Sequence, residues 1–115
     1  MNGFSVDLDR IIASAVKSGK MFFGSKKALD AAKSGKAVAL ILASNCPPES
    51  LADIRRHSAL SKIPLYVHSS TSSELGAACG KPFAVSALTI REISDPDVLR
   101  MIRESRDASE VRSKQ

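Results

Sequence analysis

The chain lacks the marks of a membrane, secreted or metal-bound protein. In 115 residues there is no apolar run of about 18, so no transmembrane span is expected. The longest apolar stretch, Ala37 to Ala43, suits one buried strand. The start, Met1-Asn2-Gly3-Phe4, has no basic segment leading into an apolar one, and no secretory signal is expected. Only two cysteines occur, Cys46 and Cys79. Such a pair reads as two free or buried thiols of a reducing compartment rather than a disulfide framework. There is no CxxC or HxxxH spacing, so no metal site is expected.

Signals of catalysis are equally scarce. His57 falls on a helical stretch and His68 at a strand end, and neither forms a recognisable nucleophile pair with a Ser or Cys. Asp7 and Asp9 are two apart on a helix and do not face each other. Glu74 sits in a first helical turn, where a carboxylate is stabilised with no catalytic role. Gly19 to Gly24 has the GxxxxG frame of a phosphate-binding loop, but Lys26 and Ser25 follow in reversed order and the intervening residues are apolar. No catalytic residue and no cofactor is expected; an enzyme using the Gly24–Lys27 loop on a nucleotide phosphate is the remote alternative.

What is present is one domain's worth of core and a concentrated charge. Apolar residues make up 43% of the chain. The formal net charge is +5, and residues 17–36 alone carry Lys17, Lys20, Lys26, Lys27, Lys33 and Lys36 against Asp30. One stretch therefore holds the equivalent of the whole excess, which points to a polyanion partner or to a solvated lysine face.

The hydrophobic periodicity alternates between 3.6 and 2. Helices are expected over 5–18 (Leu8, Ile11, Ile12, Ala15 and Val16 inward, Ser5 as cap, Gly19 as stop) and over 25–34 (Ser25 as cap, Ala28, Leu29, Ala31 and Ala32 inward, Gly35 as stop). Further helices are expected over 49–60 (Leu51, Ile54 and Leu60 inward), 73–79 and from Pro96, where Asp95-Pro96-Asp97 combines a cap, a proline at N1 and an acid favourable to the helix dipole. Strands are expected over 20–23, 37–43, 65–68 and 83–90, the second apolar on both pleat faces as a central strand should be and the last with Val85, Ala87 and Leu88 as packing residues. From Arg103 onward only Ala108 and Val111 are apolar, so that tail is expected to fray. The pattern predicts an α/β fold: a three-layer α-β-α sandwich with a small four-stranded sheet. The organisation expected is a domain over 1–94 followed by a helix and charged tail over 95–115.

Three loops carry the functional interest. In Gly24-Ser25-Lys26-Lys27 a glycine admits close approach, and the free N–H groups of a helix start, with Ser25, can hold an anion. Lys26 and Lys27 stand at the end of the helix where cations are disfavoured, a local rule broken twice. Asn45, before Pro47-Pro48, offers donors and acceptors to a base edge, or serves only as a turn residue. Phe83 beside Lys81 offers a stacking surface near a cation, or serves only as core.

These pieces recur together in one family. Gly19-Lys20 through Phe23-Gly24-Ser25-Lys26-Lys27, Leu40 to Asn45, Leu60-Ser61-Lys62-Ile63-Pro64-Leu65-Tyr66, Ser73-Glu74-Leu75-Gly76 and Gly80-Lys81-Pro82-Phe83-Ala84-Val85-Ser86-Ala87-Leu88 follow in this order over residues 5–92. The chain resembles the archaeal and eukaryotic large-subunit ribosomal protein family L-thirty-e, in the kink-turn RNA-binding superfamily. The resemblance implies a mixed sheet, a cytoplasmic ribosomal location, and large-subunit rRNA as partner with neighbouring ribosomal proteins at hand; a monomer is the simplest expectation for the free protein. It assigns RNA-binding roles to Gly24, Lys26, Asn45 and Phe83, with Ser25, Lys27, Lys81 and Val85 adjacent. The kink-turn relatives outside this branch carry Asn-Glu where this chain has Lys26-Lys27, which favours the ribosomal branch over same-fold proteins of RNA-modification particles. The segment from Ser94 to Gln115 is longer than the branch leads one to expect.

Overall fold

The computed structural model describes residues 8–18 and 20–113, so the expected cap at Ser5, the acid at Asp7 and the stop at Gly19 lie outside the described residues. The elements run α1 (Leu8–Ser18), β1 (Met21–Phe23), α2 (Ser25–Ser34), β2 (Ala39–Leu42), α3 (Pro48–Ser61), β3 (Leu65–Val67), α4 (Ser72–Ala78), β4 (Ala87–Ile90) and α5 (Pro96–Ser113). The four strands form one mixed sheet in the order β1-β4-β2-β3. β4 runs antiparallel to both β1 and β2, while β3 runs parallel to β2.

The sheet divides the core in two by strand parity, because successive side chains point to opposite faces. On one face Ala39 and Ile41 of β2 and Leu88 and Ile90 of β4 meet Ile11, Ile12 and Ala15 of α1, Leu75 of α4 and Val98 and Ile102 of α5. On the other, Leu40, Leu42 and Ala87 meet Ala28 and Ala32 of α2 and Ile54 of α3. Both β2 and β4 are buried throughout, as the unbroken apolar run of β2 demands. Small residues dominate α2's inner face, which lets that helix lie close to the sheet. Cys46 belongs to the second cluster and Cys79 to the first, so the sheet separates two free, buried thiols.

Several sequence expectations need correction. Val16 is 42% exposed and Leu60 76%. Val16 falls at the rim of an apolar stripe already completed by Ile11, Ile12 and Ala15. At the end of α3, Lys62 turns the chain in the left-handed conformation (φ 59°), and Ile63 rather than Leu60 enters the core. The last strand begins at Ala87, not at residue 83, for reasons given below. α5 does open on the expected cap, with the Asp97 N–H donating to Asp95 Oδ1 at 2.9 Å, and it continues to Ser113, beyond the point where its apolar pattern stops.

Candidate nucleic-acid interface

Strand polarity decides where the loops fall. The carboxyl ends of β1, β2 and β3 and the amino end of β4 share one end of the sheet. Backbone hydrogen bonds tie the segments beyond those ends together: Gly24 N to Ala87 O at 2.9 Å, Ala43 N to Ser86 O at 2.9 Å, and Ser44 N to Ser70 O at 2.9 Å. The Gly24, Asn45 and Lys81–Phe83 loops, scattered over sixty residues of sequence, are thus parts of one surface.

The β1–α2 turn depends on Gly24. Its φ of 110° and ψ of 150° lie in a region essentially restricted to glycine, and a Cβ there would meet nothing within 4 Å. Gly24, not Ser25, is the N-cap of α2, and no side chain caps the helix. Ser25 is its first residue, so the expected capping role passes from the serine hydroxyl to the bare backbone. The orphan N–H groups of the first turn remain without side-chain partners and favour an anion. There is no acid in this turn, and Lys26 and Lys27 are exposed. Lys26, Lys27 and Lys81 form no ion pair among the described residues.

Asn45 is exposed, but its amide is already engaged. Its Oδ1 accepts from Ser72 N at 2.8 Å, and its Nδ2 donates to Ser72 Oγ at 3.3 Å. It therefore braces the β2–α3 loop against the start of α4. One N–H and one oxygen lone pair are left for a ligand. α4 itself starts on a capping box, one residue earlier than expected. Glu74 N donates to Thr71 Oγ1 at 3.4 Å, while Thr71 N donates to Glu74 Oε1 at 2.9 Å. The Thr71 backbone N–H first, and its hydroxyl second, hold the Glu74 carboxyl below the ordinary carboxylate range. His68 links the same region to α1. Its Nδ1 accepts from Ser70 N at 3.0 Å, so Nε2 carries the proton and donates to Asp9 Oδ1 at 3.0 Å.

The segment 81–86 is a loop because its hydrogen bonds go to α4 and neighbouring loops. Lys81 N donates to Gly76 O and Val85 N to Ser72 O, each at 2.9 Å. Val85 is 1% exposed and packs in the first core cluster, as its reading as a packing residue expects; it anchors the loop and cannot itself touch a base, which corrects the adjacent RNA-binding role implied by the resemblance. Phe83 is 51% exposed, which removes the reading of it as core. It meets Phe23 edge-on, with centroids 6.0 Å apart and planes at 84°. Lys81 Nζ lies over Phe23 at 5.3 Å. Beside Lys81, Pro82 and Phe83 is an open depression of about 230 Å³.

Sequence reasoning passed over Gly76. A Cβ on it would lie 2.0 Å from the Phe83 carbonyl oxygen, so only glycine lets the loop backbone pass this closely over α4. No local signal marks it, because the clash is between residues seven apart. Ser72 was also missed, though the Thr71-x-x-Glu74 spacing would have located the helix start beside it. Burial pushes both the Cys46 and the Cys79 thiol up, the latter partly offset by Lys81, which makes them poor nucleophiles. Among the described residues no three His, Cys, Asp or Glu stand together as a metal site, and no helix is long and apolar enough to cross a membrane.

Comparison with known proteins gives a consistent result. The large ribosomal subunit protein eL30 of Methanothermobacter thermautotrophicus is 43% identical over 97 residues, covering 84% of this chain and 99% of the relative. That of Methanosphaera stadtmanae is 44% identical over 96 residues, covering 84% and 98%. Among solved structures, the Giardia lamblia 15.5kD RNA binding protein has a TM-score of 0.69 at 16% identity, covering 95% of this chain and 93% of that one. A Bacillus halodurans protein of unknown function has the same TM-score at 17% identity, covering 90% and 99%. These two show a shared fold. The model of the ribosomal protein L7Ae/L30e/S12e/Gadd45 family matches residues 7–100, and the chain belongs to that family.

Proposed function

We propose that this protein is a structural component of the large ribosomal subunit that binds a bent or bulged rRNA element of the kink-turn type with the loop end of its sheet. It acts by binding, without catalysis. The observation that carries this reading is the convergence, on a chain 43% identical to an eL30 protein, of a glycine turn, unpaired lysines, an exposed amide and a half-exposed phenylalanine on one surface. Lys26, Lys27 and Lys81 neutralise phosphates. Gly24 and the first turn of α2 let the RNA backbone close on peptide N–H groups. Asn45 presents its remaining donor and acceptor to a base edge, and Phe83 supports an extruded base. Such a surface favours a distorted RNA, because a regular A-form duplex hides its base edges in a deep, narrow groove.

The test is a titration, across salt, of purified large-subunit rRNA and a short internal-loop RNA against a fully paired duplex of equal length. Tighter binding to the internal loop that persists at high salt supports the reading. Equal binding to both RNAs that disappears with salt would reduce the surface to a nonspecific polyanion patch.

A further inference from the structure

The β1 edge of the sheet carries a second combination of aromatic surface and net positive charge. Phe22 lies in the middle of β1, yet 40% of it is exposed. Two cations from different elements rest on its ring: Lys27 Nζ, from the first turn of α2, at 5.4 Å, and the guanidinium of Arg91, just past β4, at 5.7 Å. Between β1 and α2 opens a depression of about 240 Å³ whose lining includes Phe22, Lys27, Asp30, Ser34, Lys36 and Arg91. Three cations face one carboxylate there, and none of the four is in an ion pair among the described residues.

Edge strands are commonly blunted by lysine, and charge alone would do that here. It does not explain an exposed ring placed between the charges. A π-face flanked by cations, beside a basic hollow, is the chemistry of a platform for single-stranded nucleic acid. β1 is three residues long, a short edge for a peptide to extend by strand addition. We propose that the Phe22 face is a second RNA contact, taking one unpaired nucleotide with its base stacked on Phe22 and its phosphate held by Lys36 and Arg91. The base displaces the Lys27 ammonium from the ring, and the flexible four-carbon stem turns it towards phosphate. Lys27 joins this contact to the loop surface, so the RNA footprint extends from the end of the sheet along its β1 edge. The inference rests on the reading of the chain as an RNA-binding protein.

The chain contains no tryptophan, so Phe22→Trp and Phe83→Trp each install a single fluorescent reporter, one per surface. Hexa-adenylate is titrated into both variants at low salt, with and without a blunt-ended internal-loop RNA at saturation. The proposal expects saturable quenching of Phe22→Trp that survives occupation of the loop surface. It also expects Arg91→Gln, added to Phe22→Trp, to weaken this binding and lower its salt slope by about one. In a labelled hexa-adenylate assay, Phe22→Leu keeps the apolar contact without the π-face and should bind about fivefold more weakly or worse at an unchanged melting temperature. The proposal is overturned by the absence of saturable quenching at millimolar hexa-adenylate, by indifference to Arg91→Gln and Phe22→Leu, or by quenching that vanishes once internal-loop RNA is bound. Failure of the loop reading is distinct: it shows as no response of Phe83→Trp to internal-loop RNA, whatever Phe22→Trp does.

Discussion

The β1–α2 turn and the α4–β4 loop stand side by side at one end of the sheet, and they are held in place in different ways. The turn is a local construction: one glycine in a conformation closed to other residues, then a helix, with open space around it. The α4–β4 loop has little local order of its own. It is fixed by the passage of Phe83 over Gly76, by hydrogen bonds to Gly76 O and Ser72 O, by the burial of Val85 and by the edge contact of Phe83 on Phe23. The lesson is that one RNA-facing surface combines a part that can be altered one residue at a time with a part whose geometry belongs to the packed fold.

Substitutions at the two glycines break the comparison most directly. Gly76→Ala forces a Cβ into the Phe83 carbonyl. An overpacking cost of about 3 kcal/mol, against the roughly 1 kcal/mol that alanine gains in a helix, leaves a loss of about 2 kcal/mol. Urea unfolding should show it, together with weaker binding of internal-loop RNA as the loop is displaced. Unchanged stability would mean that the loop does not depend on this passage. Gly24→Ala meets no atom, so its cost is backbone strain alone, about 1–3 kcal/mol. Here the near-native near-ultraviolet spectrum should survive, and the Phe83 surface with it. Loss of the Phe83–Phe23 contact in this variant, read by NMR, would show that the two segments are coupled.

Phe83→Ala sharpens the comparison from the other side. The ring is half exposed, so stability should fall by less than about 1 kcal/mol, while affinity for internal-loop RNA should fall about tenfold through lost stacking. A variant that mainly unfolds would return Phe83 to the core. The smallest effect is expected at Glu74. Its carboxyl titrates in the folded protein below its ordinary 4.5. Its contribution is therefore complete above the unfolded value and is lost as pH falls through the lower folded one. Glu74→Gln keeps a capping side chain without the charge. It should flatten the stability–pH curve below about pH 4.5, lowering stability slightly at neutral pH and converging with the parent protein in acid. A curve that stays superimposable on that of the parent protein would show that the cap is not linked to folding.

Much of the fold was legible because its signals are local. The α2 boundaries follow from a small-residue stripe between Gly24 and Gly35, and β2 from an apolar run buried on both faces. Six of the predicted site positions, Gly24, Lys26, Lys27, Asn45, Lys81 and Phe83, lie at one end of the sheet with exposed side chains or an open glycine. The pattern marks Val85 as a packing residue and its burial agrees; only the adjacent RNA-binding role implied by the resemblance is set aside, because a side chain anchored in the core cannot meet a base. For Asn45 the pattern leaves a base contact and a turn role open, and the Ser72 partner that braces it could not be read locally, because that engagement spans 27 residues of sequence. The exposures of Val16 and Leu60 were likewise settled by which neighbours had already filled the core.

The sequence by itself determined the alternation of helices and strands, the stop of α2 at Gly35, the lysine-rich stretch and the apolar faces, since each depends on periodicity or on a backbone conformation within a few residues. Only the tertiary structure decided the order β1-β4-β2-β3, and with it the gathering of distant loops at one end of the sheet. It also decided the Gly76–Phe83 passage and the exposure of Phe22 and Phe83. Those features depend on which surfaces meet across the chain, and excluded volume and hydrogen-bond pairing settle that only once the strands are in register.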